Sequence, residues 1–305
     1  MKLPYLPYET WTHSRMTLHL IFQIIGKIRL TFTPRKNHWW YTTLYLSSEG
    51  FTTQVTPMGD GLNTFEIVYN VHKQIVEFKS SKGVQKDIQL REGYSVSDFY
   101  KALTLIFKDW GVQVAIIDKP YDLGIDKHFS EITEYHHHDQ EAVFQFWQMM
   151  LWVDGVFKEF SGRFYGKTCP VHIYWHHMDL AVTRFSGKSA PPLNEEASIP
   201  DKDAYSHEVI SFGFWAGDDN LPEPAFYAYT APSPAQIEEE PLIPEAAFWM
   251  EANGSPMAIL KYKDLLPTAD PRKVLLDFLE SAYLAGAKRA NWDWQKLQVP
   301  PLEEM

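Results

Sequence analysis

Two long apolar segments divide the chain, and each precedes a series of short segments with the pattern of β-strands. The first covers residues 9–30, where apolar side chains recur every three or four residues. The second covers residues 139–164 and carries apolar side chains on most of its faces, which is typical of a deeply buried helix. Because each long helix is followed by strands and then by one more helix, the sequence predicts an α+β fold.

The short segments alternate in hydropathy or form brief apolar runs between turn residues, which is typical of strands. In the first half we expect an antiparallel meander with strands at residues 37–51, 64–71, 74–79, 84–90 and 112–117. In the second half we expect strands at residues 171–175, 180–185, 207–215, 225–230, 246–251 and 257–261. Amphipathic segments at residues 98–110 and 271–288 predict the helix that closes each half.

A shift of 136 residues aligns the two halves without a gap. It places the first member of each of these pairs over the second: Gly26 and Gly162, Lys27 and Arg163, Pro34 and Pro170, Trp39 and Trp175, Leu44 and Leu180. The coincidences predict an internal duplication with a pseudo-twofold axis. Residues 1–118 would form the first α+β half, 119–138 a connector and 139–305 the second half, with a single compact domain as the alternative.

Charge and composition limit the partners. A formal charge of −11 and the lack of any Lys/Arg-rich run argue against a nucleic acid. The apolar segments are interrupted by charges before they reach the roughly 20 residues of a bilayer span, so we expect no membrane partner. Because one cysteine forms no internal disulfide and the N-terminus lacks an apolar signal region, we expect a cytoplasmic protein. The oligomeric state does not follow from the sequence.

Residues 157–187 contain the highest density of groups that could do chemistry, set among aromatic residues. Cations and imidazoles can hold an anion, while indole rings supply flat apolar walls. We therefore favour a pocket for a small anionic, partly aromatic molecule near the interface of the two halves. The candidate ligand-binding residues are Lys27, Asn37, His38, Trp39, Lys158, Arg163, His172, Trp175 and Arg184.

A metal-dependent enzyme is the first alternative, because two imidazoles and a carboxylate can hold a divalent metal with open positions. Its candidate ligands are His172, Asp179, His207 and Glu208. Cys169 or Ser206 could instead act as a nucleophile near a histidine. No glycine-rich phosphate loop or other cofactor signature is present. In the last alternative there is no small-molecule site, and the basic residues pair with carboxylates inside the fold.

The histidine run at residues 136–138 precedes the second long helix, for which Asp139 is the predicted N-cap. We interpret the run as a solvated loop, with metal binding as the less favoured reading.

Several motifs are long enough to be specific: N-H-W-W, F-K-E-F, P-V-H-I-Y-W, D-L-A-V-T-R-F-S-G, A-Y-S-H-E-V-I-S-F-G-F-W and F-Y-A-Y. With them, the chain resembles, over about residues 4–294, a bacterial family catalogued only as a domain of unknown function. The resemblance implies no activity, cofactor or site. The positions that match its motifs include His19, Lys27, Asn37, His38, Trp39, Lys158, Arg163, His172, Asp179, Arg184, His207 and Glu208. Tyr174, His176 and His177 stand where relatives tend to carry other residues.

Overall fold

A computed structural model of the protein describes residues 3–252, 254–300 and 303. The outer ends of the two predicted halves, at residues 1 and 305, lie outside the described residues. Within the described part the fold is α+β, with two antiparallel sheets and five α-helices. The helices are α1 (Thr12–Phe32), α2 (Val96–Asp109), α3 (Gln140–Gly162), α4 (Ile199–Ala204) and α5 (Pro271–Arg289). None of them combines the length and the apolar character that a bilayer crossing requires.

The first sheet lies between α1 and α2 in the sequence. Its strands are β1 (Tyr45–Ser47), β2 (Gly50–Thr52), β3 (Thr56–Pro57), β4 (Thr64–Asn70), β5 (Ile75–Ser80) and β6 (Gln85–Gln89). They follow the order β1-β2-β4-β5-β6, and β3 pairs with β4. The predicted antiparallel meander is confirmed for residues 64–90, where short turns join neighbouring strands.

The second sheet lies between α3 and α5 in the sequence. Its strands are β7 (His172–Tyr174), β8 (Asp179–Ser189), β9 (His207–Trp215), β10 (Ala225–Ala231), β11 (Phe248–Ala252) and β12 (Ser255–Lys261). Their order is β11-β12-β10-β9-β8-β7, and all six predicted strands of this half are confirmed.

Side-chain caps fix where the helices α2, α3 and α5 begin, as Ser198 does for α4. Ser95 and Asp98 form a capping box at α2, each side chain bonding the backbone N–H of the other. The Asp139 carboxylate accepts a hydrogen bond from the N–H of Ala142 at 3.0 Å, which confirms the predicted cap of α3. Asp270 caps α5. The exposed first N–H groups of these helices are therefore partly satisfied within the chain.

The two sheets meet edge to edge. Leu44 and Ile173 form an antiparallel bridge, with N···O distances of 2.9 and 2.8 Å. Next to this bridge the indole of Trp175 covers Gly26 of α1, where a Cβ would come within 2.1 Å of the ring. Because any larger residue at this position would displace the ring, Gly26 is required for the contact between the halves. One continuous buried core spans both halves.

Two local predictions were wrong. Residues 112–117 form no strand, and the carbonyl of Ile117 instead accepts a hydrogen bond from Lys27. The segment after Pro34 is not extended at first, because His38 and Trp39 both adopt positive φ within a short 3₁₀ turn. Between β8 and β9 the chain also forms the short helix α4, which Ser198 caps.

The internal duplication stays a prediction. Each half contains a long helix, a six-stranded sheet and a closing helix. The ungapped shift, however, places the single strand β8 over residues 43–53, which contain the β1–β2 hairpin. It also places Gly26, packed inside α1, over Gly162 at the end of α3.

Candidate ligand-binding site between the two sheets

The nine residues predicted to bind a ligand do not converge on one hollow. Lys27 is 7% exposed, and its ammonium donates hydrogen bonds to the carbonyls of Ile117 at 3.2 Å and Lys119 at 2.7 Å. Burial lowers the pKa of Lys27 to about 8, against the opposite effect of Asp118. Its donors are used by the backbone, so Lys27 anchors the connector.

Two further polar residues share this role along α1. The Nε2 atom of His19 lies 2.8 Å from the carbonyl of His176, and the amide of Gln23 donates to the carbonyl of Tyr121 at 2.9 Å. Since residues four apart share a helix face, His19, Gln23 and Lys27 form one polar row. This row binds backbone carbonyls of residues 117–121 and 176, and it therefore positions these loops.

Lys158 and Arg163 are held by carboxylates at the surface. The ammonium of Lys158 lies 2.6 Å from the Asp154 carboxylate, one helical turn away. The guanidinium of Arg163 lies 2.5 Å from Glu159 and 3.6 Å from Glu280. Each of the two predicted ligand residues thus has an acidic partner already.

Arg184 is fully buried and paired with a carboxylate, although its Nε has no hydrogen-bond partner among the described residues. Its Nη2 donates to the carbonyl of Phe160 at 2.6 Å, and its Nη1 lies 3.3 Å from Glu280. The guanidinium carbon lies 3.5 Å from the ring centroid of Phe160 and 4.5 Å from that of Tyr283. A cavity of about 640 Å³ borders Arg163 and Arg184, but both already have carboxylate partners, Glu280 for the two of them and Glu159 for Arg163. This cavity offers no free cation of the pair to a ligand.

His38 belongs to the turn Asn37–Trp39, and its ring packs against Phe185 of β8 and His207 of β9. Its Nε2 is 2.6 Å from the ammonium of Lys167, and its ring packs against Phe185 with 4.7 Å between centroids. Burial, with the charge of Lys167, lowers the pKa of His38. The neighbouring Asn37 is exposed, and the buried indole N–H of Trp39 has no partner among the described residues.

The structure does bring together a polar group that includes one predicted residue, His172. We name Arg29, Tyr45 and His172 the junction cluster, because α1, β1 and β7 supply them at the contact of the two sheets. The bridge between Leu44 and Ile173 sets the pairing, since an antiparallel register places Tyr45 beside His172. The rings of Tyr45 and His172 lie 6.5 Å apart, and the Arg29 guanidinium carbon lies 5.4 Å from the Tyr45 centroid.

Arg29 is a buried cation that pairs with no carboxylate in the part of the chain that the structure describes. Only 6% of its surface is exposed, and its Nε and Nη1 have no hydrogen-bond partner among the described residues. Burial lowers the pKa of Arg29, and the hydroxyl of Tyr45 acts against this effect. Guanidinium groups remain charged in proteins, so a positive charge with free donors lies inside the junction.

His172 beside it is a neutral and unpaired imidazole. The residue is 1% exposed, and neither ring nitrogen makes a hydrogen bond of normal geometry within the described chain. Burial, together with the Arg29 charge, lowers the pKa of His172 to about 3, and the Pro170 carbonyl opposes this weakly. The neutral ring has one donor and one acceptor nitrogen, and both are available to a ligand.

A row of tyrosines continues from the junction cluster across the second sheet. We name Tyr174, Tyr205, Tyr227, Tyr229 and Asp179 the tyrosine face. The ring of Tyr174 lies 4.7 Å from that of His172, and Tyr174 pairs with Asp179 across β7 and β8. Tyr227 and Tyr229 are stacked at 6.1 Å, and the hydroxyls of Tyr205 and Tyr229 lie 3.1 Å apart.

Strand geometry explains this face. Residues two apart on β10 project to the same side, so Tyr227 and Tyr229 are neighbours. On β9 the residue opposite Tyr227 is Gly213, where a Cβ would lie 2.2 Å from the phenol ring. The glycine therefore lets the ring lie flat on the sheet. All four tyrosines keep part of their surface accessible, while burial raises the pKa of Tyr227 and Tyr229 well above 10.

Asp179 is the acidic member of this face. It is 7% exposed, and its Oδ2 accepts a hydrogen bond from the Tyr227 hydroxyl at 2.5 Å, while its Oδ1 has no partner among the described residues. Burial raises the pKa of Asp179, although His177 and the Tyr227 hydrogen bond act in the opposite direction. A carboxyl group with a raised pKa can bind a donor or exchange a proton.

A cavity of about 320 Å³ borders Tyr45. Its walls come from β1, from α3 and from the residues before β7, and they include Tyr45, Lys158 and Val171. Tyr45 is thus shared by the cavity and the junction cluster.

The structure does not bring the predicted metal ligands together. His172 and Asp179 lie near one end of the second sheet, whereas His207 pairs with Ser189 at the far end of β8. Within residues 3–252, 254–300 and 303, the one set of three ligand-type side chains at metal-binding range is formed elsewhere. Glu208, the fourth predicted ligand, is not in that set.

The predicted nucleophiles gain no support from their surroundings. Cys169 is 2% exposed, and burial raises the pKa of its thiol to about 11, which disfavours the reactive thiolate. The hydroxyl of Ser206 lies 3.1 Å from His207 Nδ1 but donates to the Asp203 carbonyl at 2.9 Å.

Sequence reasoning missed most of the junction cluster and the tyrosine face. Arg29 lies in a segment predicted as a helix and Tyr45 in one predicted as a strand, and neither is predicted from the sequence as a site residue. A signal was present in F-Y-A-Y, where two tyrosines two residues apart on a strand must share a face. For Arg29 the signal was an arginine between apolar residues near the end of a helix, Ile28 and Leu30, which must be buried or at an edge.

The chain belongs to a family of unknown function, DUF5996, whose model matches residues 3–299. This confirms the resemblance over nearly the whole chain. Neither the comparison with curated proteins nor the comparison with solved structures gave a significant match.

Proposed function

We propose that the protein binds a small organic anion, a carboxylate or a phosphate with a flat or aromatic body, at the junction cluster. The observation that carries this proposal is the buried guanidinium of Arg29, which among the described residues has two unpartnered N–H groups and no carboxylate beside it. An anion at this position would accept hydrogen bonds from both N–H groups.

A bound anion would compensate the buried positive charge of Arg29. A buried charge is costly unless it is paired and hydrogen-bonded. At Arg29 the fold supplies only the ring and hydroxyl of Tyr45. His172, which is neutral and has no hydrogen bond of normal geometry among the described residues, adds a further donor for the same anion. A bound carboxylate or phosphate would supply the missing negative charge.

The tyrosine face would receive the rest of the ligand. The ring of Tyr174 stands next to His172, and Asp179 presents one unpaired carboxyl oxygen. Aromatic rings with partly accessible faces suit a flat ligand, and the free oxygen suits a hydroxyl or amine on it. The 320 Å³ cavity at Tyr45 is of the size that small-molecule sites use, and we infer that the ligand enters from it.

We also infer that the protein acts in the cytoplasm. The inference is supported by the single cysteine, which is a buried free thiol rather than half of a disulfide.

Thermal unfolding with matched probes tests the proposed site. Benzoate and phenyl phosphate carry the anionic head, and benzamide has the shape of benzoate without its charge. We expect either anion to raise the Tm of the wild-type protein, because a ligand that binds only the folded state stabilises it. Benzamide should have no comparable effect. The two anions together distinguish a carboxylate site from a phosphate site.

The variant Arg29→Met removes the charge and should abolish the response to the anions. Arg163→Met is the matched control, since it makes the same change at an arginine that has carboxylate partners. The proposal is wrong if neither anion raises the Tm of the wild type, or if both variants respond like the wild type.

A further inference from the structure

A second group of polar side chains lies far from the tyrosine face in the sequence, where the turn after β6 meets the connector. The ligand atoms of Glu92, His136 and His137 all lie within 4.8 Å of one another. The Nδ1 atom of His137 is 2.7 Å from a Glu92 carboxylate oxygen. The rings of His136 and His137 are 4.7 Å apart, and all three side chains are at least partly accessible to solvent.

The backbone holds this group in place. The N–H of Gly93 donates to the carbonyl of His136 at 2.9 Å, which fixes the turn on the connector. The second carboxylate oxygen of Glu92 accepts the N–H of His138 at 3.1 Å. This bond orients the carboxylate toward the histidine run. The histidine run is therefore not a freely solvated loop.

Hydrogen bonds also orient the imidazoles. The Nδ1 atom of His136 lies 3.0 Å from the Thr133 carbonyl, so Nδ1 carries the proton and Nε2 is free to bind a metal. A carbonyl or carboxylate behind a histidine is the usual second layer of a metal site. The adjacent His138 is buried, and its Nε2 lies 2.7 Å from the Tyr94 carbonyl, so it serves as an anchor.

We propose that Glu92, His136 and His137 form a site for Zn²⁺. Two imidazole nitrogens and one carboxylate oxygen are a donor set that zinc accepts, with the fourth position open. Ligand atoms in a tetrahedral zinc site lie roughly 3.4 Å apart, as bonds of about 2.1 Å require. The ligand atoms of Glu92, His136 and His137 would reach this spacing by small rotations of their side chains, which are at least partly accessible.

The fourth ligand can come from α1. His13, in the first turn of that helix, is exposed, and its ring lies 5.1 Å from that of His137. A metal held by all four residues would join the start of α1, the turn after β6 and the connector. Zinc would therefore stabilise the folded chain by linking segments that are distant in sequence.

Isothermal titration of the metal-free protein with Zn²⁺ tests the site. We expect one equivalent to bind, with a rise in Tm. His137→Ala, His136→Ala and Glu92→Gln should each weaken binding by at least about tenfold, since even outer-layer partners of metal ligands contribute that much. Glu92→Gln keeps an oxygen for the His138 N–H, so it separates ligation from folding. With Co²⁺ in place of zinc, the absorption spectrum should show tetrahedral coordination in the wild type.

His177→Ala provides the matched control. His177 also pairs with a carboxylate, Asp122 at 3.3 Å, and is exposed, but no third ligand joins that pair within the described chain. This variant should bind zinc as the wild type does. Wild-type zinc affinity in all three site variants, or an equal loss in His177→Ala, would overturn the proposed site. A smaller loss in His13→Ala than in His137→Ala is expected for a fourth ligand.

Discussion

Two buried arginines, one in each half, have opposite surroundings. Arg184 on β8 is 1% exposed, and a backbone carbonyl, the Glu280 carboxylate and aromatic rings surround its guanidinium, with only its Nε unpartnered among the described residues. Arg29 on α1 is 6% exposed and has a tyrosine beside it but no carboxylate, with two N–H groups unpartnered among the described residues. The two side chains are buried to nearly the same extent. They differ in whether a carboxylate compensates the positive charge.

The comparison shows how a structural cation differs from one suited to a ligand. A guanidinium that the fold satisfies stabilises its own surroundings, while one that the fold leaves open costs stability. Such a cost is typical of binding sites, where the ligand completes the set of partners. From the sequence, Arg184 is a candidate ligand residue and Arg29 is only a charge that interrupts an apolar segment.

The largest effect should come from removing Arg184. Arg184→Met deletes the hydrogen bond to Phe160, the ion pair with Glu280 and the contacts with the rings, and we expect a loss of about 3 kcal/mol of unfolding free energy. Urea unfolding measures this. A loss below about 1 kcal/mol would mean that Arg184, too, is poorly compensated, and the contrast with Arg29 would disappear.

Acid should next affect the junction cluster. The pKa of His172 is lowered from its ordinary 6.5 to about 3, so the unfolded chain binds more protons between these values. Stability from this residue is complete above pH 6.5 and falls as the pH drops toward 3, by about 2 kcal/mol at pH 5. His172→Phe should remove this part of the pH dependence in urea unfolding at pH 7 and pH 5. An unchanged dependence in the variant would show that His172 does not remain neutral beside Arg29.

The smallest effect on stability should come from Arg29 itself. Arg29→Met removes a buried charge that lacks partners, so we expect the unfolding free energy to change by less than about 1 kcal/mol, or to rise. The same substitution at Arg184 is the internal control. A loss as large as that of Arg184→Met would indicate compensation of Arg29 and would argue against the ligand site.

The sequence predicted the elements well because local patterns control them. Six strands of the second sheet and four of the five helices were located from periodicity and turn residues. The errors occurred where tertiary contacts compete with local preference. Residues 112–117 have a strand pattern, but Lys27 takes the carbonyl of Ile117 and the segment pairs with no strand.

The candidate site was predicted less well, for a physical reason. His172 lies in the junction cluster and Lys158 borders the 320 Å³ cavity, and both stay predicted ligand residues. Whether a cation is paired depends on residues far away in sequence. Glu280, almost a hundred residues after Arg184, compensates that arginine. No local pattern shows such a partner.

By itself, the sequence determined the α+β class, the antiparallel strands and most helix limits, because hydropathy period and capping act over a few residues. The tertiary structure alone decided which buried charges are satisfied. The edge contact at Leu44 and Ile173 brings Tyr45 and His172 together and leaves Arg29 without a carboxylate. Hydrogen bonds and ion pairs act over a few ångströms, and only the packed chain sets those distances.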